Sequence, residues 1–198
     1  MSEEKSRPII VLLHEIYGVN AFMDSVKGTY EAQGYEVMCP NLLGRESFSY
    51  EDEALAYKYY MGEIGLNQAL DQVKQLLLGQ QTQQRQVLLI GYSVGATLAW
   101  LCSTEPQVCG VIGYYGSRIR DYTELSPACP VLLFLAEQES SFEPAVLQQQ
   151  LACKERVAVS MMNGGHGYAD PYSLHYNEEL AVQSQELAER WMEERIAE

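Results

Sequence analysis

Positive charge is what this sequence has least of. Among 198 residues, Lys and Arg number 13 against 27 Asp and Glu, a formal net charge of -14. Binding to phosphate backbones or anionic lipid needs clustered basic side chains, so nucleic acid and membrane are excluded as partners. The summed field also disfavours small anionic ligands unless a local arginine offsets it. Cysteines are few and unpatterned: Cys39, Cys102, Cys109, Cys129 and Cys153 are odd in number, with neither CxxC nor zinc-finger spacing. No apolar run reaches transmembrane length, and residues 1–8 are polar, without a secretory signal. These absences predict a reduced, cytoplasmic protein. Linkers, repeats and low-complexity blocks are missing too. With 47% hydrophobic residues, the chain is expected to form one domain over 1–198 with a sizeable core.

What is present alternates. Residues 8–13 (PIIVLL) are an unbroken apolar run, as in a strand covered on both faces. A loop (His14-Glu15-Ile16-Tyr17-Gly18) leads to a helix capped at Asn20 or Asp24 and ended by Gly34, and 35–39 reads as a second strand. After a long loop over 40–50, residues 51–61 and 63–78 have helical spacing, with Leu66, Leu70, Val73 and Leu77 on one face of the second. Further strands are predicted near 87–90, 108–115, 131–135 and 156–161, with helices after the elbow described below, over 144–153, and from 177 to the C-terminus. The last would turn Leu180, Leu187 and Trp191 inward. Strands and helices alternating in this way predict an α/β fold: a doubly wound, mostly parallel sheet of about six strands flanked by helices. Ligands bind such sheets beyond the carboxyl ends of the strands. No insertion is large enough for a cap domain.

One stretch carries chemistry. Val87–Ile90 ends in Gly91-Tyr92-Ser93-Val94-Gly95, and helix formers follow at once. Gly-x-Ser-x-Gly is common by chance. Between a strand and a helix it has the form of a nucleophile elbow, which lifts a serine hydroxyl above the sheet. Such a serine needs a base, and the base needs a carboxylate to set its tautomer. Of three histidines, His166 lies in a glycine-rich loop (Asn163-Gly164-Gly165-His166-Gly167-Tyr168) past the last strand, in the chain order expected of a base. His14 precedes the elbow and is expected to hold loop geometry; His175 reads as a surface residue. The acid should follow the fifth strand, where Glu137 and Glu139 compete; Glu139 is preferred because Glu137 lies nearer the strand end. The oxyanion donors are expected to be the backbone N–H groups of Val94 and Ile16. Nucleotide binding is disfavoured, since the elbow lacks a Walker lysine and G-x-G-x-x-G spacing.

His14-Glu15-Ile16-Tyr17-Gly18 with Asn20, Gly91-Tyr92-Ser93, Gly113-Tyr114-Tyr115-Gly116 and Gly165-His166-Gly167-Tyr168 together resemble the dienelactone hydrolase family of α/β-hydrolases. The likeness runs from about Pro8 to the final helix. It implies ester or lactone hydrolysis through an acyl-enzyme, with no metal or organic cofactor, and places the oxyanion donors at Ile16 and Val94.

Three departures stand out. Ser93 occupies a position where the best-known members carry cysteine. There the glutamate matching Glu15 helps to form a thiolate; beside a serine it is left to orient Ser93 or a water, or to act only as a buried hydrogen-bond acceptor. Glu139 stands where the family usually has aspartate. Lactone-hydrolysing members hold a substrate carboxylate with two arginines; Arg45 matches one, but Asp170 occupies the place of the other. The resemblance therefore implies a neutral or less anionic ester rather than dienelactone itself.

Tyr17, Tyr50, Tyr115, Tyr168 and Tyr172 lie on loops at the active end and are expected to wall a rather open site. A small-molecule ester or lactone is the expected partner, and the protein is expected to be a monomer or small homo-oligomer. Two rivals remain at this point: a general carboxylesterase or thioesterase, and a non-catalytic ligand-binding member of the fold.

Overall fold

In the computed structural model, residues 7–195 are described. Most of the polar leader and the last three residues of the predicted C-terminal helix lie outside them. In chain order the elements are β1 (Ile9–Leu13), α1 (Ala21–Ala32), β2 (Val37–Met38), α2 (Glu53–Tyr59), α3 (Gly65–Thr82), β3 (Val87–Tyr92), α4 (Val94–Leu101), β4 (Val108–Tyr114), β5 (Val131–Gln138), α5 (Pro144–Ala152), β6 (Val157–Gly165) and α6 (Glu178–Arg195). The strands form one parallel sheet in the order β2-β1-β3-β4-β5-β6. The chain winds outward from β1 to β2, then returns past β1 and proceeds the other way. The direction of winding therefore reverses between β1 and β3, the place where such sheets leave a crevice at their carboxyl ends.

Strand periodicity divides the core in two. Ile9, Val11, Leu13, Val87 and Leu89 face one side, where α2, α3, α4 and α5 cover them through residues such as Ala56, Val73, Leu77, Leu98 and Leu147. Ile10, Leu12, Leu88, Ile90 and Tyr92 face the other, against Phe22, Met23 and Tyr30 of α1 and Ala188 and Met192 of α6. Each aliphatic side chain taken out of water in these strands contributes roughly 1.5–3 kcal/mol, and β1 and β3 are aliphatic but for Gly91 and Tyr92 at the end of β3.

The boundaries differ from the sequence reading where tertiary contacts override local signals. β2 is two residues rather than five, because only Val37 and Met38 pair with β1. The two predicted helices over 51–78 are joined by a π-helical turn at Tyr60–Ile64, and the second extends to Thr82. On α6 the fully buried stripe is Ser184, Ala188 and Met192, with Leu180, Leu187 and Trp191 packed beside it. β5 and β6 both run farther than predicted, and this extension builds the site described next.

Among the described residues no helix is long and apolar enough to cross a membrane. All five cysteines are free.

Candidate active site

β3 ends at Tyr92 and α4 begins at Val94, so the whole reversal falls on Ser93, at φ 52° and ψ -115°. Few L-residues adopt that backbone; holding one there costs roughly 1–3 kcal/mol. The Ser93 N–H donates to the Tyr114 carbonyl (2.9 Å), and its carbonyl accepts from Ala96 N–H (3.1 Å) and Thr97 N–H (3.3 Å). The flanking glycines are required by contact. A Cβ on Gly91 would run into the Gly95 carbonyl, and one on Gly95 into the carbonyls of Leu13 and His14. Strand and helix can therefore approach, and the serine side chain is pushed outward. It does not cap α4.

Instead, Ser93 Oγ lies 2.8 Å from His166 Nε2, and His166 Nδ1 lies 2.7 Å from Glu139 Oε1. Sheet register explains the second contact. Gln138 at the end of β5 pairs with Gly165 at the end of β6, so the next residues, Glu139 and His166, emerge side by side. Ala136 pairs with Met162, so β6 advances three residues while β5 advances two, and the bulge turns the ends of the strands toward each other. Glu137, inside this irregular stretch, is exposed; the Glu139 side chain is only 7% exposed. Gly164 and Gly165 are strand residues rather than loop. Side chains there would collide with Leu180 and with the exposed His175, whose ring lies against Gly165.

Burial opposes charge on His166, but the hydrogen bond and negative charge of Glu139, with Glu15 and Glu53, outweigh it and raise its pKa above the usual value. The neutral ring accepts a proton at Nε2 when Nδ1–H faces the carboxylate. Its side chain is 34% exposed, so the dyad opens to solvent.

His14 is fully buried, and burial holds it neutral. Its Nε2 accepts from the Leu42 N–H at 3.0 Å, which leaves Nδ1–H to donate to the Glu15 carbonyl at 2.6 Å. This side chain clamps the loop after β1 to the loop after β2. Glu15 beside it is buried, and its Oε1 has no hydrogen-bond partner among the described residues; neither has the Tyr115 hydroxyl. Burial pushes the Glu15 carboxyl up to about 7, with Asp170 adding to the shift while His166 opposes it. The Ile16 and Val94 amides follow β1 and β3, the two strands at the winding reversal, and no backbone carbonyl among the described residues accepts from them.

A sequence model of the dienelactone hydrolase family matches residues 1–196. The chain belongs to this family. An uncharacterised protein of Bacillus subtilis (strain 168) is 37% identical over 193 residues, covering 96% of this chain and 95% of its own length. A carboxymethylenebutenolidase of Pseudomonas putida is 31% identical over 154 residues, 72% of this chain and 64% of its own. Among solved structures, a dienelactone hydrolase fold from Klebsiella pneumoniae superposes with a TM-score of 0.76 at 16% identity, over 93% of this chain and 86% of its own. Family and fold together make the protein a hydrolase.

Within the family frame, several expected site residues take other places. Arg45 is exposed; its guanidinium lies over the Phe48 ring (4.0 Å) and the Tyr59 ring (5.3 Å), and its Nε donates to the Glu46 carbonyl. It is thus engaged by its own loop. Asp170 does not face a substrate either: it is fully buried, accepting hydrogen bonds from the Tyr50 hydroxyl and the Tyr172 N–H. Tyr115 and Tyr168 are buried and cannot form a pocket wall. Tyr115, at φ 41°, packs 5.0 Å from the His166 ring and 5.4 Å from Tyr168, so both support the histidine from behind. Tyr17, Tyr50 and Tyr172 remain accessible. The sequence reading missed the anchoring role of Asp170. Only burial reveals it, since no local motif distinguishes an acid that holds a loop from one that meets a ligand.

Proposed function

We propose that this dienelactone hydrolase family member cleaves carboxylic esters or lactones through a serine acyl-enzyme, with Ser93, His166 and Glu139 as nucleophile, base and orienting acid. The unbroken relay from Ser93 Oγ through both His166 nitrogens to Glu139 carries this reading. His166 Nε2 takes the Ser93 proton as Oγ attacks the carbonyl carbon. The oxyanion of the tetrahedral intermediate is held by the Ile16 and Val94 amides, the latter at the positive end of α4. His166 then gives the proton to the leaving oxygen, and the acyl group stays on Ser93. Water, deprotonated by His166, attacks that ester; collapse of the second intermediate releases the acid and returns the proton to Ser93. No step needs a metal or organic cofactor.

The engagement of Arg45 by Phe48 and Tyr59, with an aspartate rather than an arginine at position 170, supports a neutral or less anionic substrate over a carboxylate-bearing lactone. A fluorophosphonate probe and a p-nitrophenyl ester test the reading together. Ser93→Ala should lose labelling and turnover while keeping the thermal unfolding of a folded chain; turnover undiminished in that variant would overturn the assignment. His166→Ala should lose labelling as well.

A further inference from the structure

Three rings meet at the carboxyl end of the sheet, where Glu15 and Glu53 act on both Tyr17 and His166. Tyr17 follows β1, Tyr50 precedes α2 and Tyr172 follows β6. The Tyr17 and Tyr50 centroids are 4.5 Å apart, and Tyr50 and Tyr172 stack at 6.0 Å. The middle ring is fixed at its tip. The Tyr50 hydroxyl donates to the buried Asp170 carboxylate and accepts from Asn20 Nδ2 at 2.8 Å, while Asn20 caps α1. Asp170 also holds the backbone of Tyr172 at 2.9 Å. Tyr17 and Tyr50 are half-buried and Tyr172 is 53% exposed, so the cluster keeps surface open to solvent.

The charge around these rings is of one sign. Beyond burial, Glu53, Glu15 and Asp170 all raise the proton affinity of the Tyr17 hydroxyl, and Asp170 and Glu15 do so for Tyr50. Glu139, Glu15 and Glu53 act likewise on His166. No lysine or arginine is among the principal charges on any of these groups. Arg45, the nearest candidate in sequence, is stacked on Phe48 and Tyr59. Aromatic faces are the negative pole of the ring quadrupole and attract onium groups; carboxylates behind them add to that field and repel anions.

We propose that the Tyr17–Tyr50–Tyr172 wall is a subsite for an alkylammonium group, so that the preferred substrates are esters or lactones carrying a positive charge on their non-reacting part. The inference rests on the ester-hydrolase reading for the reaction, but not for the binding. Choline and its uncharged isostere 3,3-dimethylbutan-1-ol serve as probes, titrated by calorimetry into the wild type and into Ser93→Ala. At low ionic strength choline should bind at least fivefold more tightly than the neutral alcohol in both proteins, and 0.5 M salt should remove most of that advantage. The anion 3,3-dimethylbutanoate should bind more weakly than either. Glu53→Gln, at the exposed start of α2, should lower the choline-to-alcohol affinity ratio at least twofold; Asp170→Asn should lower it further. Equal affinities for choline and the alcohol, binding of neither, or a ratio unmoved in Glu53→Gln would overturn the proposal. Failure of Ser93 to react with fluorophosphonate would overturn the hydrolase reading alone, since the choline preference is measured without turnover.

Discussion

Replacing Glu139 tests the reasoning most directly, because its carboxylate is the one part of the relay with a close competitor in sequence. Its Oε1 lies 2.7 Å from His166 Nδ1, on a side chain only 7% exposed. A hydrogen bond to a charged group contributes about 1.5–3 kcal/mol, and an imidazolium–carboxylate pair near 4 Å at an effective dielectric of 20 interacts by about 4 kcal/mol. Glu139→Gln keeps the volume and removes the charge that stabilises the imidazolium of the transition state. A loss of about 2–4 kcal/mol corresponds to about 30- to 900-fold in kcat/KM for a p-nitrophenyl ester. Glu139→Asp keeps the charge but withdraws it by about 1.5 Å, one carbon–carbon bond. The direct bond then opens to a gap that needs water, with an expected loss of about tenfold. Glu137→Gln, at an exposed position, should stay within about twofold of wild type.

The pH profile supplies a second readout. The anions around His166 favour its charged form and raise its pKa above 6.5, and the base must be neutral to act. Activity therefore rises with pH through a midpoint above 6.5, and Glu139→Gln should move that midpoint to lower pH. Activity of Glu139→Gln within threefold of wild type, or an unmoved acid limb, would refute the assignment of Glu139.

Two further substitutions probe the frame of the site. Glu15 is protonated more readily when folded (about 7) than when unfolded (4.5), so its contribution to stability is complete below pH 4.5 and is lost as pH rises through 7. Glu15→Gln removes that loss; between pH 4 and pH 9 its urea-unfolding free energy should gain about 3 kcal/mol on wild type, and a pH-independent difference would exclude an acid that neutralises on burial. Gly95→Ala drives a methyl group into the Leu13 and His14 carbonyls, so neither strand nor helix can stay in place. Its destabilisation should exceed about 3 kcal/mol by denaturant unfolding, at the upper end of single substitutions.

Much of this protein is legible in one dimension. Apolar runs at 9–13 and 87–90 specify strands that must be covered on both faces, because no polar side chain offers them a solvent face. Gly91 and Gly95 around Ser93 mark a strand–helix turn, since only residues without a side chain admit that approach. A chain with three histidines narrows the base to very few positions, and His166 lies past the last strand. These are local facts, set by covalent geometry and periodicity.

What local facts leave open is which side chains meet. In sequence, only distance from the strand end favours Glu139 over Glu137. The Gln138–Gly165 pairing and the bulge before it decide between them, because register turns one carboxylate toward the ring and leaves the other in water. Tyr115 and Tyr168 follow strand ends, as the accessible Tyr17 and Tyr172 do, yet are buried behind His166. Asp170 reads as an acid facing a ligand and is instead the buried anchor of Tyr50 and Tyr172. Each difference depends on burial and on at least one partner more than 25 residues away along the chain. Such contacts exist only once the sheet has closed, so only the tertiary structure decides them.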